Sequence, residues 1–177
     1  QIADVNHSDN DCLLIAVLTH GDINKLYAKD TDYKLEDLWS YFTVDKCPSL
    51  AGKPKLFFIQ ACQGDKLDEG VTLTKRIETD GSDITPYTFP VHPDFLIVFA
   101  TVPGFYSWRN TTRGSCFMQA LCEELRYCAH KRNILTLLTF VCQKVALDFE
   151  SNTPDTPFMH QQKQVPCITS MLTRLLV

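Results

Sequence analysis

The sequence predicts an α/β sandwich with a largely parallel central sheet flanked by helices. Three observations carry that expectation. Four short, β-rich runs at residues 12–19, 55–61, 94–102 and 167–172 are apolar. They are nearly continuous in hydrophobicity, as suits strands covered on both faces. Helical patterns separate them, and strands alternating with helices favour parallel pairing.

In chain order, residues 12–19 form the first predicted strand and end at Thr19-His20-Gly21. Residues 35–42 read as a short helix with Leu35, Leu38, Trp39 and Phe42 on one face. The second strand, 55–61, runs into Gln60-Ala61-Cys62-Gln63-Gly64. Residues 66–86 are polar and without periodicity, a length typical of a functional or disordered connection. The third strand spans 94–102. Residues 115–128 predict a helix with Ser115 as its cap and Met118, Leu121, Leu125 and Cys128 at helical spacing. Residues 133–149 predict another, capped by Asn133, with apolar residues at 134, 137, 138, 141 and 145. The fourth strand, 167–172, ends the pattern.

Composition narrows the function. A chain of 177 residues predicts one domain with a substantial core. A net charge of −4 gives no reason to expect nucleic acid or an anionic membrane as partner. No apolar run approaches a bilayer-spanning length, and no signal peptide is visible at Gln1. None of the eight cysteines forms a C-x-x-C pair, which argues against zinc, and no cofactor is expected. Cys12, Cys142 and Cys167 sit in apolar runs and read as small hydrophobes. So many unpaired-looking thiols suit a reducing compartment, the cytoplasm. No strand is followed by a G-x-G-x-x-G or P-loop run, which leaves nucleotide binding remote.

One thiol stands apart. Cys62 follows a strand, at the end where open α/β sheets keep their chemistry. Its neighbours Gln60 and Gln63-Gly64 predict a site open to solvent. His20 also ends a strand, as does the loop carrying Arg109. In a parallel sheet these ends share one edge. A thiol, an imidazole and a guanidinium there suit nucleophilic attack on a peptide beside an anion pocket.

Gln60-Ala61-Cys62-Gln63-Gly64, with a histidine upstream, resembles the local signature of caspases. Pro103-Gly104-Phe105-Tyr106-Ser107-Trp108-Arg109-Asn110, Arg113-Gly114-Ser115 and Gln164-Val165-Pro166-Cys167-Ile168 extend the likeness from about residue 8 to the C-terminus. The chain is similar to insect effector caspases. That resemblance implies a caspase-like three-layer sandwich. Residues 1–65 would be the large-subunit part, 66–86 the intersubunit linker and 87–177 the small-subunit part. It implies an endopeptidase cleaving after aspartate to execute apoptosis. Cys62 would be the nucleophile and His20 the general acid/base, with the Gly21 and Cys62 N–H groups as the oxyanion hole. Arg109 and Gln60 would hold the substrate aspartate. Ser107 and Arg109 would pair with the substrate main chain, and Tyr106 and Trp108 would shape the pocket. Asn110 would receive the acid four positions before the cut. Trp108 and Met159 would flank the intermediate pockets. Cleavage of the linker is expected after Asp80, with Asp68 a second candidate. Arg113 reads as a structural ion-pair partner outside the site.

The implied partners are protein substrates with aspartate before the cut, a second copy paired through the 167–172 strand, an upstream caspase, and inhibitor-of-apoptosis or viral caspase-inhibitor proteins. The family carries another strand and helix before the region matching Gln1, with a second pocket arginine and a carbonyl that orients the histidine. This stretch by itself is therefore expected to be weakly active or inactive. The family's tryptophan after Arg-Gly-Ser is Cys116 here, which relaxes the upstream subsite. The alternative is a caspase-like regulatory or decoy protein, folded and catalytically silent.

Overall fold

The computed structural model describes residues 2–70, 93–109 and 114–177. Among the described residues the main sheet has four strands in the order β1-β5-β6-β7. They are β1 (Leu13–Leu18), β5 (Lys55–Gln60), β6 (Phe95–Phe99) and β7 (Cys167–Ser170). β1, β5 and β6 are parallel, and β7 runs antiparallel to β6. A small antiparallel sheet, β2 (Gly21–Asp22), β3 (Lys25–Tyr27) and β4 (Asp32–Lys34), follows β1. The sequence pattern did not reveal it, because its strands are two or three residues long.

The central strands β5 and β6 are buried along their whole length. Their residues alternate between two cores, as period-two geometry requires. Leu56, Phe58, Leu96 and Val98 face α1 (Cys116–Cys128) and α2 (Ile134–Asp148). Phe57, Ile59, Phe95, Ile97 and Phe99 face the opposite layer with Leu26, Leu35, Trp39, Phe42 and Leu50. Phe57 lies about 6 Å from three rings there, Trp39, Phe42 and Phe95. The layered α/β arrangement is therefore as the sequence predicts, with both cores drawing residues from either side of the 66–86 segment.

Both α-helices start where expected. Ser115 Oγ accepts from the Met118 N–H at 3.1 Å, and Asn133 Oδ1 accepts from the Thr136 N–H at 3.0 Å. The buried residues of α2 are Ile134, Leu137, Leu138, Val141 and Val145, the positions given by its periodicity.

Three expectations need correction. Residues 35–42 form two 3-10 turns, Leu35–Leu38 and Ser40–Phe42, instead of a helix. Eight residues make few α-helical hydrogen bonds, so packing of Leu35, Trp39 and Phe42 decides the backbone. β1 is not covered on both faces. It is an edge strand of alternating exposure, with Leu14 and Leu18 more than half exposed. β7 is an edge strand too, only partly covered. Cys12 is exposed rather than a packed hydrophobe, because it precedes the strand; Cys142 and Cys167 are half-buried, and all eight cysteines are free thiols.

Lys55 is fully buried at the start of β5. Its ammonium donates to the Lys53 carbonyl at 2.8 Å and the Leu50 carbonyl at 3.3 Å, and lies 4.9 Å from the Phe95 ring centre. Burial lowers its pKa, and Asp94 and Cys47 oppose that shift. Among the described residues no helix is long and apolar enough to cross a membrane.

Candidate active site

Parallel pairing sets the relation between His20 and Cys62. β1 and β5 are in register from Leu13↔Lys55 to Leu18↔Gln60, and the Thr19 N–H continues the ladder to the Gln60 carbonyl at 3.0 Å. Two residues beyond the last pair, the chains carry His20 and Cys62. The His20 carbonyl accepts from the Tyr27 N–H at 3.0 Å, which ties the histidine turn to the small sheet. Gly21 lies against the nucleophile's backbone. A Cβ there would meet the Cys62 carbonyl oxygen at 2.5 Å and Ala61 Cβ at 3.0 Å. Glycine is therefore required for close approach of the two strand ends.

The loop after Cys62 is held equally closely. The Gln63 N–H donates to the Phe105 carbonyl, the Gly104 N–H to the Gln63 carbonyl, and the Tyr106 N–H to the Lys66 carbonyl. Gly64 has φ of +147°, and a Cβ would sit 2.5 Å from the Gly104 oxygen. The glycine of the motif thus permits two loops to stack backbone on backbone. The Gln63 amide donates to the Thr101 carbonyl at 2.5 Å.

A cleft of about 190 Å³ results, lined by Leu18, His20, Gln60, Cys62, Ser107 and Arg109, with Tyr106 and Trp108 along it. His20 and Arg109 are exposed and Cys62 half-buried. The Cys62 thiol accepts from the Ser107 N–H at 3.3 Å and donates to the Ser107 carbonyl at 3.6 Å. Burial pushes this thiol's pKa up and Asp22 adds to the rise, while the Ser107 N–H opposes it. The resting sulfur is therefore a protonated thiol at neutral pH.

Gln60 is buried and fully engaged. Its amide donates to Ser107 Oγ at 2.7 Å and lies 3.5 Å from the Trp108 carbonyl. Its oxygen accepts from the Ser115 hydroxyl, the same group that caps α1. Gln60 thus braces the 107–108 segment.

Tyr106 and Trp108 pack with ring centres 5.2 Å apart. Met159 lies on the 3-10 turn Pro157–Met159 and lines neither this cleft nor the cavity beyond Trp108. Phe149, just past α2, packs beside Trp108 with ring centres 6.5 Å apart. Asn110, Arg113 and Asp80 lie outside the described residues. Asp68 is described and engaged. Its carbonyl accepts from the Lys163 N–H at 2.6 Å, and Oδ1 accepts from the Gly70 N–H.

The sequence assigns Gln164 no role beyond its place in the Gln164-Val165-Pro166-Cys167-Ile168 run. Gln164 is 2% exposed. Its oxygen accepts from the Trp108 N–H at 2.7 Å, and its amide donates to the Ala100 carbonyl at 2.7 Å. It ties the cleft wall to the end of β6. Its bracing role leaves no local signal, because its two partners, Trp108 and Ala100, are distant in the chain.

A family model described as Caspase domain matches residues 1–177. The chain is 76% identical over 177 residues to Caspase-1 of Spodoptera frugiperda, covering 100% of this chain and 59% of that protein. It is 67% identical over 175 residues to caspase drICE of Drosophila melanogaster, covering 98% of this chain and 52% of that protein. The crystal structure of Caspase-1 from Spodoptera frugiperda superposes with a TM-score of 0.88 at 72% identity, covering 99% of this chain and 66% of that one. The chain therefore spans between half and two thirds of the length of these curated relatives.

Proposed function

Because the chain belongs to the caspase family, we propose that it is the catalytic part of a cysteine endopeptidase that cleaves after aspartate and executes apoptosis. The observation that supports this best is the single cleft shared by His20, Cys62, Gln60 and Arg109. Arg109 forms a charge-assisted pair with the substrate carboxylate. Gln60 adds a hydrogen bond once Ser107 Oγ yields. The substrate main chain pairs with Ser107 and Arg109 as an added strand. This frees the sulfur from the Ser107 backbone.

His20 takes the thiol proton, and the Cys62 sulfur bonds to the carbonyl carbon. The oxyanion is held by the N–H groups of Gly21 and Cys62. His20 then protonates the departing amine, and water hydrolyses the thioester. Burial raises the thiol's pKa, so attack needs a base, the role given to His20. Tyr106 and Trp108 shield this chemistry, and Asn110 meets the acid four positions upstream. Met159 flanks the intermediate pockets with Trp108, and Phe149 supports the Trp108 ring.

Residues 1–65 and 87–177 act as large- and small-subunit parts, joined by the 66–86 linker. An upstream caspase cuts after Asp80; Asp68 is disfavoured, since its backbone and side chain are already bonded. The β5–β6 ladder spans the two parts, so they stay together after a cut. β7 ends the sheet. An open apolar edge favours pairing, and a second copy paired two-fold through β7 satisfies it. The protein works in the cytoplasm, where inhibitor-of-apoptosis or viral caspase-inhibitor proteins occupy the cleft.

An irreversible aspartyl peptide electrophile tests the reading. It should add one equivalent to the chain, as seen by mass spectrometry, and none to Cys62→Ala. Absence of labelling on a folded chain whose thiols react with iodoacetamide would instead support a silent regulatory protein.

A further inference from the structure

The turn that joins α1 to α2 gathers positive charge in an acidic chain. The net charge is −4, yet residues 125–147 hold Arg126, Lys131, Arg132 and Lys144 and no acidic residue. Lys144 is neutralised by Glu123 at 2.5 Å, and Glu124 acts on the same ammonium. Among the described residues Arg126, Lys131 and Arg132 have no ion-pair partner. The C-terminus of α1 and the N-terminus of α2 meet here, and their dipole ends oppose each other. The surplus charge therefore belongs to the side chains.

The backbone fixes these groups in one place. The Lys131 and Arg132 N–H groups both donate to the Cys128 carbonyl, at 3.0 and 3.1 Å. Arg126, Tyr127, His130 and Lys131 are exposed, Tyr127 by 61%. The Arg132 guanidinium lies 4.1 Å from the Phe140 ring centre. Its flat face is thus occupied, and its N–H edge is left to meet a carboxylate.

Position identifies the partner. The start of α1 and the end of α2 lie beside Trp108. In the reading above, the upstream part of the substrate passes Trp108. The basic turn is at the other end of the same two helices. The 13 residues of α1 put it about 20 Å away. About six extended residues cross that distance. We infer that the α1–α2 turn is an exosite for an acidic stretch of the protein substrate, about ten residues upstream of the scissile bond. This rests on the endopeptidase reading above and adds a contact outside the cleft. A polypeptide already held in the cleft gains from three cations through effective concentration. A free polyanion such as RNA has no such tether.

Two peptides with the same aspartyl cleavage sequence provide the first test. One carries a short run of Glu about ten positions upstream, the other a run of Gln. At low salt the Glu peptide should show kcat/KM about fivefold higher, through KM. Salt at about 0.5 M should remove the difference. Arg126→Gln, Lys131→Gln and Arg132→Gln combined should erase the preference and leave the Gln peptide's rate unchanged. Arg126→Gln with Lys131→Gln, which keeps Arg132 on Phe140, serves the same end should the triple variant fail to fold. The same Glu run placed downstream of the cut should give no gain. A second readout needs no turnover. Titrating the Glu peptide into ¹⁵N-labelled chain at low salt should shift the Arg126, Tyr127, Lys131 and Arg132 amides. Equal rates for the two peptides, a preference that survives the substitutions, an equal gain from the downstream run, or unshifted amides each overturn the inference. Oligouridylate shifting these amides at concentrations where the Glu peptide does not would assign the turn to nucleic acid instead. Failure to cleave either peptide counts against the endopeptidase reading itself, and the amide shifts then decide the turn alone.

Discussion

Replacing Gln164 with leucine isolates a residue that touches no reacting atom yet holds the cleft wall. Two hydrogen bonds are lost, from the Trp108 N–H and to the Ala100 carbonyl, both 2.7 Å. Ala100 is 0% exposed, so its carbonyl cannot recover the bond from water. A buried group left unpaired costs about 1–3 kcal/mol. Trp108 is half-exposed, and water offsets part of its loss. Together these give a destabilisation of about 3 kcal/mol, or about 6–12 °C in Tm for a domain of this size. Part of the loss falls on the 107–109 segment. If that part is about 1.4 kcal/mol, binding of an aspartyl peptide weakens about tenfold. The assay is a thermal melt together with steady-state kinetics on a fluorogenic aspartyl peptide. KM should rise about tenfold while kcat changes little, because His20 and Cys62 are positioned by β1 and β5 instead. A variant with unchanged Tm and KM would refute the bracing role. Equal losses in kcat at constant KM would refute the assignment to substrate positioning.

Other outcomes follow from the same geometry. Gly21→Ala places a Cβ against the Cys62 carbonyl. Displacing the histidine turn by about 1 Å should cost about 100-fold in kcat, read by peptide kinetics, with circular dichroism unchanged. Gly64→Ala would force a Cβ onto the Gly104 backbone at φ of +147°. It should separate the two loops and abolish active-site labelling; labelling at the normal rate would contradict that packing. Alkylation of native Cys62 by iodoacetamide, followed by peptide mapping, should show a midpoint pH above that of the same thiol in denatured chain, because burial raises its pKa. Cys116 adds a stability term at high pH. Its folded pKa of about 11 exceeds the ordinary thiol value of 9.0. Neutral thiol in both states well below pH 9 gives full stability; above it the unfolded chain ionises first, and about 2 kcal/mol is lost by pH 11. Denaturation curves of Cys116→Ala should lack that share of the alkaline decline.

Much of the architecture is legible without coordinates. The runs at 55–61 and 94–102 became the two central strands because continuous hydrophobicity is what burial on both faces demands. The α2 face was readable residue by residue, since Ile134, Leu137, Leu138, Val141 and Val145 repeat at helical period and Asn133 supplies its cap. Cys62 was readable as special because its strand, its glycine and its glutamine are neighbours in sequence. Less legible were features set by contacts between distant segments. Edge strand β1 has the same composition as the central strands, and only its place in the sheet leaves Leu14 and Leu18 exposed. The 3-10 turns around Trp39 follow packing on Phe57 rather than local propensity.

By itself, the sequence determined the layered α/β class, the helix caps, and which thiol, imidazole and guanidinium end strands. These depend on periodicity and on residues a few positions apart. Tertiary structure alone decided that Gln60 braces Ser107, that Gln164 spans 56 residues to fix Trp108, and that Phe149 packs beside that ring. It also decided that a cavity opens beside Cys116. Such facts arise from loop closure over long separations, where hydrogen-bond partners are chosen by the packed core and leave no local pattern in the chain.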